Sequence, residues 1–315
     1  METPLTDASH DPWVYVKLYL GRAVDRMDRL LIDLASQPVL TGQAQQWFYI
    51  RYVDQDGIHV RLRAKARPGE REALARAVMD ACADLLAELP GYPPGDYSPM
   101  VTMPGFEASL ERVTAAHHDV KVVQDRYEPE TDKYGARPGI DVAEALFHQS
   151  SLIATRILRE EEHGRLSRKD LVPLLMHEAC ETFIAPDDRA SFWREYSYYW
   201  LNGRSPAADD WRATFAEKAQ ELQQRGIAVV ARPERLDGAA RELSAAWRRA
   251  LREAAAGYQA LKGRVDAGAE VLCFNFVHLM NNRLGLAALE EAYMAALLER
   301  ECERAGQREA VAELA

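Results

Sequence analysis

Three side chains that can carry positive charge, His59, Arg61 and Arg63, alternate with Val60 and Leu62 in the run HVRLR. Successive side chains of a strand point to opposite faces, so the three line one surface and the two aliphatic residues the other. Arginine forks suit carboxylates and carbonyl oxygens, and two on one face repel unless an anion or polar ligand meets them. The same pattern suits a solvated strand face paired to nearby acids. A second cluster, Tyr127, Glu128, Pro129, Glu130, Lys133 and Tyr134, leads into Gly135 and Gly139. Its acids and lysine either position one another at a tight loop or form an ordinary surface turn. The third cluster is NFVHLMNNRLG, from Asn275 to Gly285. On a helix His278 aligns with Asn281 and Asn282, giving a polar stripe among apolar neighbours. Such a stripe is a buried hydrogen-bond network or a site that moves protons or binds amides. Tyr293 follows on the same helical pattern, where a phenol can donate to a carbonyl, relay a proton or simply pack. The aromatic run Phe192, Trp193, Tyr196, Tyr198, Tyr199 and Trp200 lacks strict periodicity and reads as helix packing.

These groups need elements to hold them. WVYVKLYL, Trp13 to Leu20, is rich in β-branched and aromatic residues and reads as a strand, and a helix follows Gly21 with Val24, Met27, Leu30, Leu31 and Leu34 at helical spacing. QWFYIRYVD and HVRLRAKAR are two strand-like runs joined around Gln55, Asp56 and Gly57, the arrangement of a β-hairpin. A helix is expected from Glu70 to Leu89, a proline-rich loop over 90–99, and a further strand over Val120 to Tyr127. After Asp141 the pattern turns helical, over 141–163, 167–183, 187–201, 206–225, 234–264 and 267–304, with Asp141 and Glu144 fitting a capping box at the first. Strands followed by helices make an α+β fold, in which an N-terminal half with a β-hairpin packs against a mainly helical C-terminal half. One domain over 1–315 is expected, with a sub-boundary near 90–100 permitted.

The composition narrows the function. A formal charge of -10 and a pI near 5.4 argue against a protein that tracks phosphates, and an acidic surface favours a basic segment of a partner. Neither GxGxxG nor a P-loop occurs, so no nucleotide fingerprint is present. The amino terminus lacks the basic-then-apolar order of a secretory signal, and no run of roughly 18 apolar residues occurs, which leads to the expectation of a cytoplasmic protein that does not engage membranes. Cys82, Cys180, Cys273 and Cys302 are scattered without metal-ligand spacing, so reduced, mostly helical thiols and no metal are expected.

Taken together, WVYVKLYLG, the WFYIRYVDQDGIHVRLR hairpin, the YEPETDKYG loop followed by AEALFHQSS, and HLMNNRLGL resemble, in order and spacing, the carboxy-terminal domain of lantibiotic dehydratases and its stand-alone relatives in thiopeptide pathways. The resemblance implies a ribosomally made peptide, leader plus dehydrated core, as substrate. In the elimination branch, glutamate is removed from glutamylated Ser or Thr by two hairpin arginines, an arginine in the tyrosine-glycine loop and the late histidine. Those positions are Arg61, Arg63, Lys133 and His278 in this chain. Lys133 departs from the pattern, because lysine lacks the planar two-pronged fork. That departure, the chain length and the Asn281-Asn282-Arg283-Leu284-Gly285 stretch look like the pyridine synthases. These join two dehydroalanines in a formal aza-[4+2] cycloaddition, with loss of water and leader peptide, to give a pyridine macrocycle.

On that reading Tyr293 and His278 supply hydrogen bonding or proton transfer, and Arg61 and Arg63 hold peptide carbonyls or polarise the reacting amide. Asn281, Asn282, Arg283 and Lys133 are expected to contact substrate, and Glu107 and Glu111 to meet the leader. No cofactor is expected; nucleic acid is not an expected partner, and a homodimer is permitted. The alternatives are a glutamate-elimination lyase, which releases glutamate from a glutamylated precursor, and a non-catalytic scaffold that binds the leader without changing product mass.

Overall fold

The computed structural model describes residues 12–21, 23–89, 119–231, 233–236 and 238–313. The loop and sub-boundary expected over 90–100, and Glu107 and Glu111, lie outside the described residues. The chain divides into two compact units, whose described parts are residues 12–89 with 119–128, and residues 129–313.

The first unit contains β1 (Trp13–Leu20), α1 (Met27–Ala35), β2 (Gln46–Asp54), β3 (Gly57–Lys65), α2 (Arg71–Ala87) and β4 (Val120–Asp125). The helix expected directly after Gly21 starts at Met27, behind a 3-10 turn over Val24–Arg26. The strands form an antiparallel sheet in the order β2-β3-β1-β4. Asp54 pairs with Gly57, which leaves Gln55 and Asp56 as a two-residue hairpin turn. Gly57 has φ +117°, a conformation glycine adopts freely, and the Asp54 carboxylate accepts from the Asp56 N–H at 2.9 Å. Alternation then sorts the side chains. Val14, Val16, Leu18, Val60 and Leu62 are buried on one face, with α2 packed along β1 and β4. Tyr15, Lys17, Tyr19, His59, Arg61 and Arg63 share the other.

The second unit is helical: a single turn at Thr131–Tyr134, then α3 (Ala136–Glu162), α4 (Arg168–Phe183), α5 (Arg189–Trp200), α6 (Pro206–Gln224), α7 (Gly238–Ala260), α8 (Ala269–Leu284) and α9 (Ala288–Glu313). Two expectations are corrected. The capping box at Asp141 and Glu144 does not form, because α3 already begins after Gly135, whose φ of +81° turns the chain into the helix, and Glu144 is buried within it. Gly139 lets the preceding turn lie against α3: a Cβ there would stand 1.8 Å from the Tyr134 carbonyl oxygen. The second correction concerns the long helix expected over 267–304, which is two helices. Gly285 has φ +80°, its N–H bonds to Asn282 O at 3.0 Å, and Leu286 N–H bonds to Asn281 O at 3.0 Å. That pair of hydrogen bonds is the signature of a glycine-terminated helix end, and it stops α8.

Two buried groups hold α4 to α7. Trp247 Nε1 donates to Leu175 O at 3.0 Å, and Ser244 Oγ donates to Glu178 Oε1 at 2.6 Å. Arg248 Nε approaches the same Glu178 oxygen at 3.2 Å, while Oε2 is buried with no hydrogen-bond partner among the described residues. Burial raises the Glu178 pKa to about 7, against the opposing pull of Ser244 and Arg248. Among the described residues no helix is long and apolar enough to cross a membrane. The four cysteines are free and all sit on helices, in α2, α4, α8 and α9.

Candidate functional site

In the first unit the hairpin brings His59, Arg61 and Arg63 to one face, but of these three only the arginines carry charge at neutral pH. His59 is fully buried; its Nδ1–H donates to Gly57 O at 3.0 Å, and Nε2 accepts from Arg61 Nε–H at 3.3 Å. Burial holds the imidazole down at about 4, against the raising effects of the Gly57 carbonyl and Asp54. The expectation of three cations is thus reduced to two. Arg61 lies with its guanidinium carbon 3.3 Å from the centroid of the Tyr52 ring, and among the described residues no carboxylate forms an ion pair with it. Arg63 is buried among Tyr15, Phe48 and Tyr127, at 4.6, 5.5 and 5.5 Å from their ring centroids. Lys17, paired in register with Arg61, is bound to Asp125 at 2.8 Å. This face offers a half-buried guanidinium on an aromatic ring, an arrangement that can receive a carbonyl or carboxylate oxygen.

In the second unit the break at Gly285 redirects the chain so that Glu291, in the first turn of α9, faces His278 and Asn281 of α8. Glu291 is 1% exposed, and its Oε1 lies 3.0 Å from His278 Nδ1. Its Oε2 accepts from Asn281 Nδ2 at 3.1 Å and from the Tyr196 hydroxyl. A carboxylate oxygen accepts, so the contact is an Nδ1–H of His278 donating to Glu291, which leaves Nε2 outside this bond. The His278 side chain is 29% exposed and its ring lies 4.6 Å from that of Trp200. An imidazole with its tautomer fixed by a buried carboxylate, and one nitrogen left to act, is suited to taking up and returning a proton.

The other sequence-derived positions spread out. Asn281 is buried in this network and Asn282 is half-buried beside it. Arg283 is 1% exposed, donating to Ser151 Oγ at 3.0 Å and Leu279 O at 2.9 Å, so its guanidinium is built into the α3–α8 packing. Lys133 is bound to Glu130 at 2.7 Å on the surface. Tyr293 is on α9, two residues beyond Glu291 and so turned to another side of that helix. It packs on Phe215 of α6 at 5.2 Å, with Lys218 and Glu221 as its charged neighbours. His278 and Tyr293 therefore belong to different contact groups. Glu291 and Tyr196 were not among the sequence candidates. The signal that leads to Glu291 is the RLG end of α8, a basic residue and then glycine at a helix terminus, which predicts a break and a returning segment.

The family profile described as lantibiotic biosynthesis dehydratase C-term matches residues 13–302. Among solved structures, the chain is similar to the tRNA-dependent lantibiotic dehydratase MibB from Microbispora sp. 107891. That match has 22% identity and a TM-score of 0.62, and covers 98% of this chain and 29% of that one, so the chain spans less than a third of MibB's length. It is also similar to TbtD, a pyridine synthase from thiomuracin biosynthesis, at 21% identity and TM-score 0.64, covering 92% and 97%. TsrL is similar at 17% identity and TM-score 0.58, covering 91% and 93%. At these identities the likeness is one of fold. A comparison with curated proteins gives no match. With the profile aligned from β1 well into α9, the chain belongs to the family of lantibiotic biosynthesis dehydratase C-terminal domains.

Proposed function

We propose that the chain is a pyridine synthase acting on a ribosomally made precursor peptide, joining two dehydroalanines by a formal aza-[4+2] cycloaddition. The observation that carries the proposal is the His278–Glu291 pair, 3.0 Å apart, with the carboxylate buried and the imidazole partly exposed. Cycloaddition needs the two alkenes held together and one amide in its iminol form. Holding is work that positioning supplies. The tautomer requires that the amide N–H be lost and the carbonyl oxygen be protonated, a transfer suited to Nε2 of His278 with Glu291 stabilising the imidazolium. Ring closure is followed by loss of water and of the leader peptide, each a proton-coupled step. Arg61 holds a peptide carbonyl, and Tyr293, in its own contact group beside Phe215, acts as a second hydrogen-bonding group.

Lys133 favours this reading over glutamate elimination, because its ammonium is taken up by Glu130 and lacks the arginine fork. The elimination reading is favoured by Arg61, whose guanidinium has no carboxylate partner among the described residues. Mass spectrometry decides between them. Incubation with a synthetic bis-dehydroalanine peptide bearing its leader should yield a macrocycle together with intact leader. Release of glutamate from a glutamylated precursor, with the bis-dehydroalanine peptide untouched, refutes the synthase. A leader-binding chain that changes no mass is a scaffold.

A further inference from the structure

Tyr199 and Val271 are large apolar side chains on regular helices, yet they are 58% and 47% exposed. Both line a cleft of about 530 Å3 between α5 and the first half of α8. Phe192, Tyr196 and Tyr199 come from α5, and Val271, Phe274 and Asn275 from α8. The volume falls within the roughly 300–1,000 Å3 of pockets that enclose small ligands, and aromatic walls favour a planar guest that stacks or meets them edge-on. An exposed apolar patch rimmed by polar groups marks a binding surface.

Two features of the cleft select its occupant. The first is charge: Glu195 at the rim is bound to Arg204, whereas Glu270 has no ion-pair partner among the described residues, so the rim carries net negative charge and disfavours an acidic guest. The second is continuity with His278. Phe274 stacks on Trp200, with centroids 6.1 Å apart and planes at 15°, and Trp200 contacts the His278 ring at 4.6 Å. Tyr196 belongs both to the cleft wall and to the Glu291 network. Phe274 precedes His278 by one helical turn, so a group seated in the cleft lies one turn from the imidazole.

We propose that this cleft seats a planar aromatic side chain of the substrate peptide, from a residue flanking the one on which His278 acts. This rests on the assignment of His278 as the proton-handling group, and it adds a preference for aromatic, non-acidic flanks.

Two N-acetylated peptide amides with a central dehydroalanine, one flanked by Phe and the other by Ala, test it by calorimetric titration into the full chain. Tyr199→Ala and Val271→Asp alter exposed side chains, and thermal unfolding checks that both variants fold. The wild type should bind the Phe-flanked peptide about tenfold more tightly than the Ala-flanked one, in keeping with the energy of a buried aromatic anchor. Both variants should abolish that preference, and His278→Ala should keep it. Absence of binding by either peptide, equal affinities, or a preference indifferent to both cleft variants overturns the proposal. So does a solution dimer that Val271→Asp dissociates, since the cleft would then be covered by a second copy. Failure of the reaction reading looks different: flank preference persists, but no bis-dehydroalanine peptide is converted. Conversion without flank preference spares the reaction and removes the cleft.

Discussion

Replacing Glu178 by Gln isolates what an ionised carboxylate costs between α4 and α7. In the folded chain one carboxylate oxygen accepts from Ser244 and meets Arg248, while the other is buried without a hydrogen-bond partner among the described residues. Burial dominates, and the pKa rises from 4.5 to about 7. A carboxyl that holds its proton more tightly when folded favours folding below the unfolded value of 4.5. That contribution is lost as pH rises through 7. At about 1.36 kcal/mol per pKa unit, the wild type should lose about 3 kcal/mol relative to Glu178→Gln between roughly pH 4.5 and 8. The Gln side chain keeps a carbonyl oxygen for the Ser244 hydroxyl and removes the titration. Urea unfolding of both proteins at several pH values across this range reads the difference as a divergence of midpoints, with the variant the more stable at the alkaline end. Parallel curves, or a wild type that gains on the variant as pH rises, refute the reasoning, because Arg248 would then outweigh the burial of the unpartnered oxygen.

In the first unit the sign is opposite. Burial lowers the His59 pKa, so the stability it contributes is present above its unfolded value near 6.5 and is lost as pH falls towards 4; His59→Gln should flatten acid unfolding followed by circular dichroism. Glu291→Gln offers His278 a neutral acceptor and should lower kcat about 10- to 100-fold with KM little changed, together with an altered pH–rate profile, whereas a purely structural role would move the melting temperature alone. Gly139→Ala forces a Cβ onto the Tyr134 carbonyl and should cost roughly 3 kcal/mol or more in chemical denaturation, since backbone on backbone cannot be relieved by a rotamer change.

Much of the first unit was readable from side-chain alternation. In β1 and β3 the aliphatic and polar faces separate, and Gly57 marks the turn, so the shared face of His59, Arg61 and Arg63 followed from spacing, whereas β2 mixes the two, with Arg51 opposite Val60 and Ile50 opposite Arg61. Their charge did not follow, because the burial that keeps His59 neutral depends on packing. The helical unit was legible as helices but not at their ends. Asp141 and Glu144 satisfy a capping pattern that Gly135 makes unnecessary, and apolar periodicity runs straight across Gly285 even though that residue breaks the helix. The same break hid Glu291, an ordinary acid of a first helical turn until the returning chain brings it to His278. The aromatic run of α5 was half understood. Trp193 and Tyr196 are buried as helix packing requires, while Tyr199 opens onto the cleft.

Trp200, stacked on Phe274 and in tilted contact with the His278 ring at 4.6 Å, gives the chain an internal optical probe. Indole emission is quenched by a protonated imidazole in contact with it and much less by a neutral one. The fluorescence that disappears on Trp200→Phe therefore carries a record of whether His278 holds one proton or two. Followed in a stopped-flow instrument as a peptide is added, that signal would report any change of protonation at His278 without a label attached to the peptide.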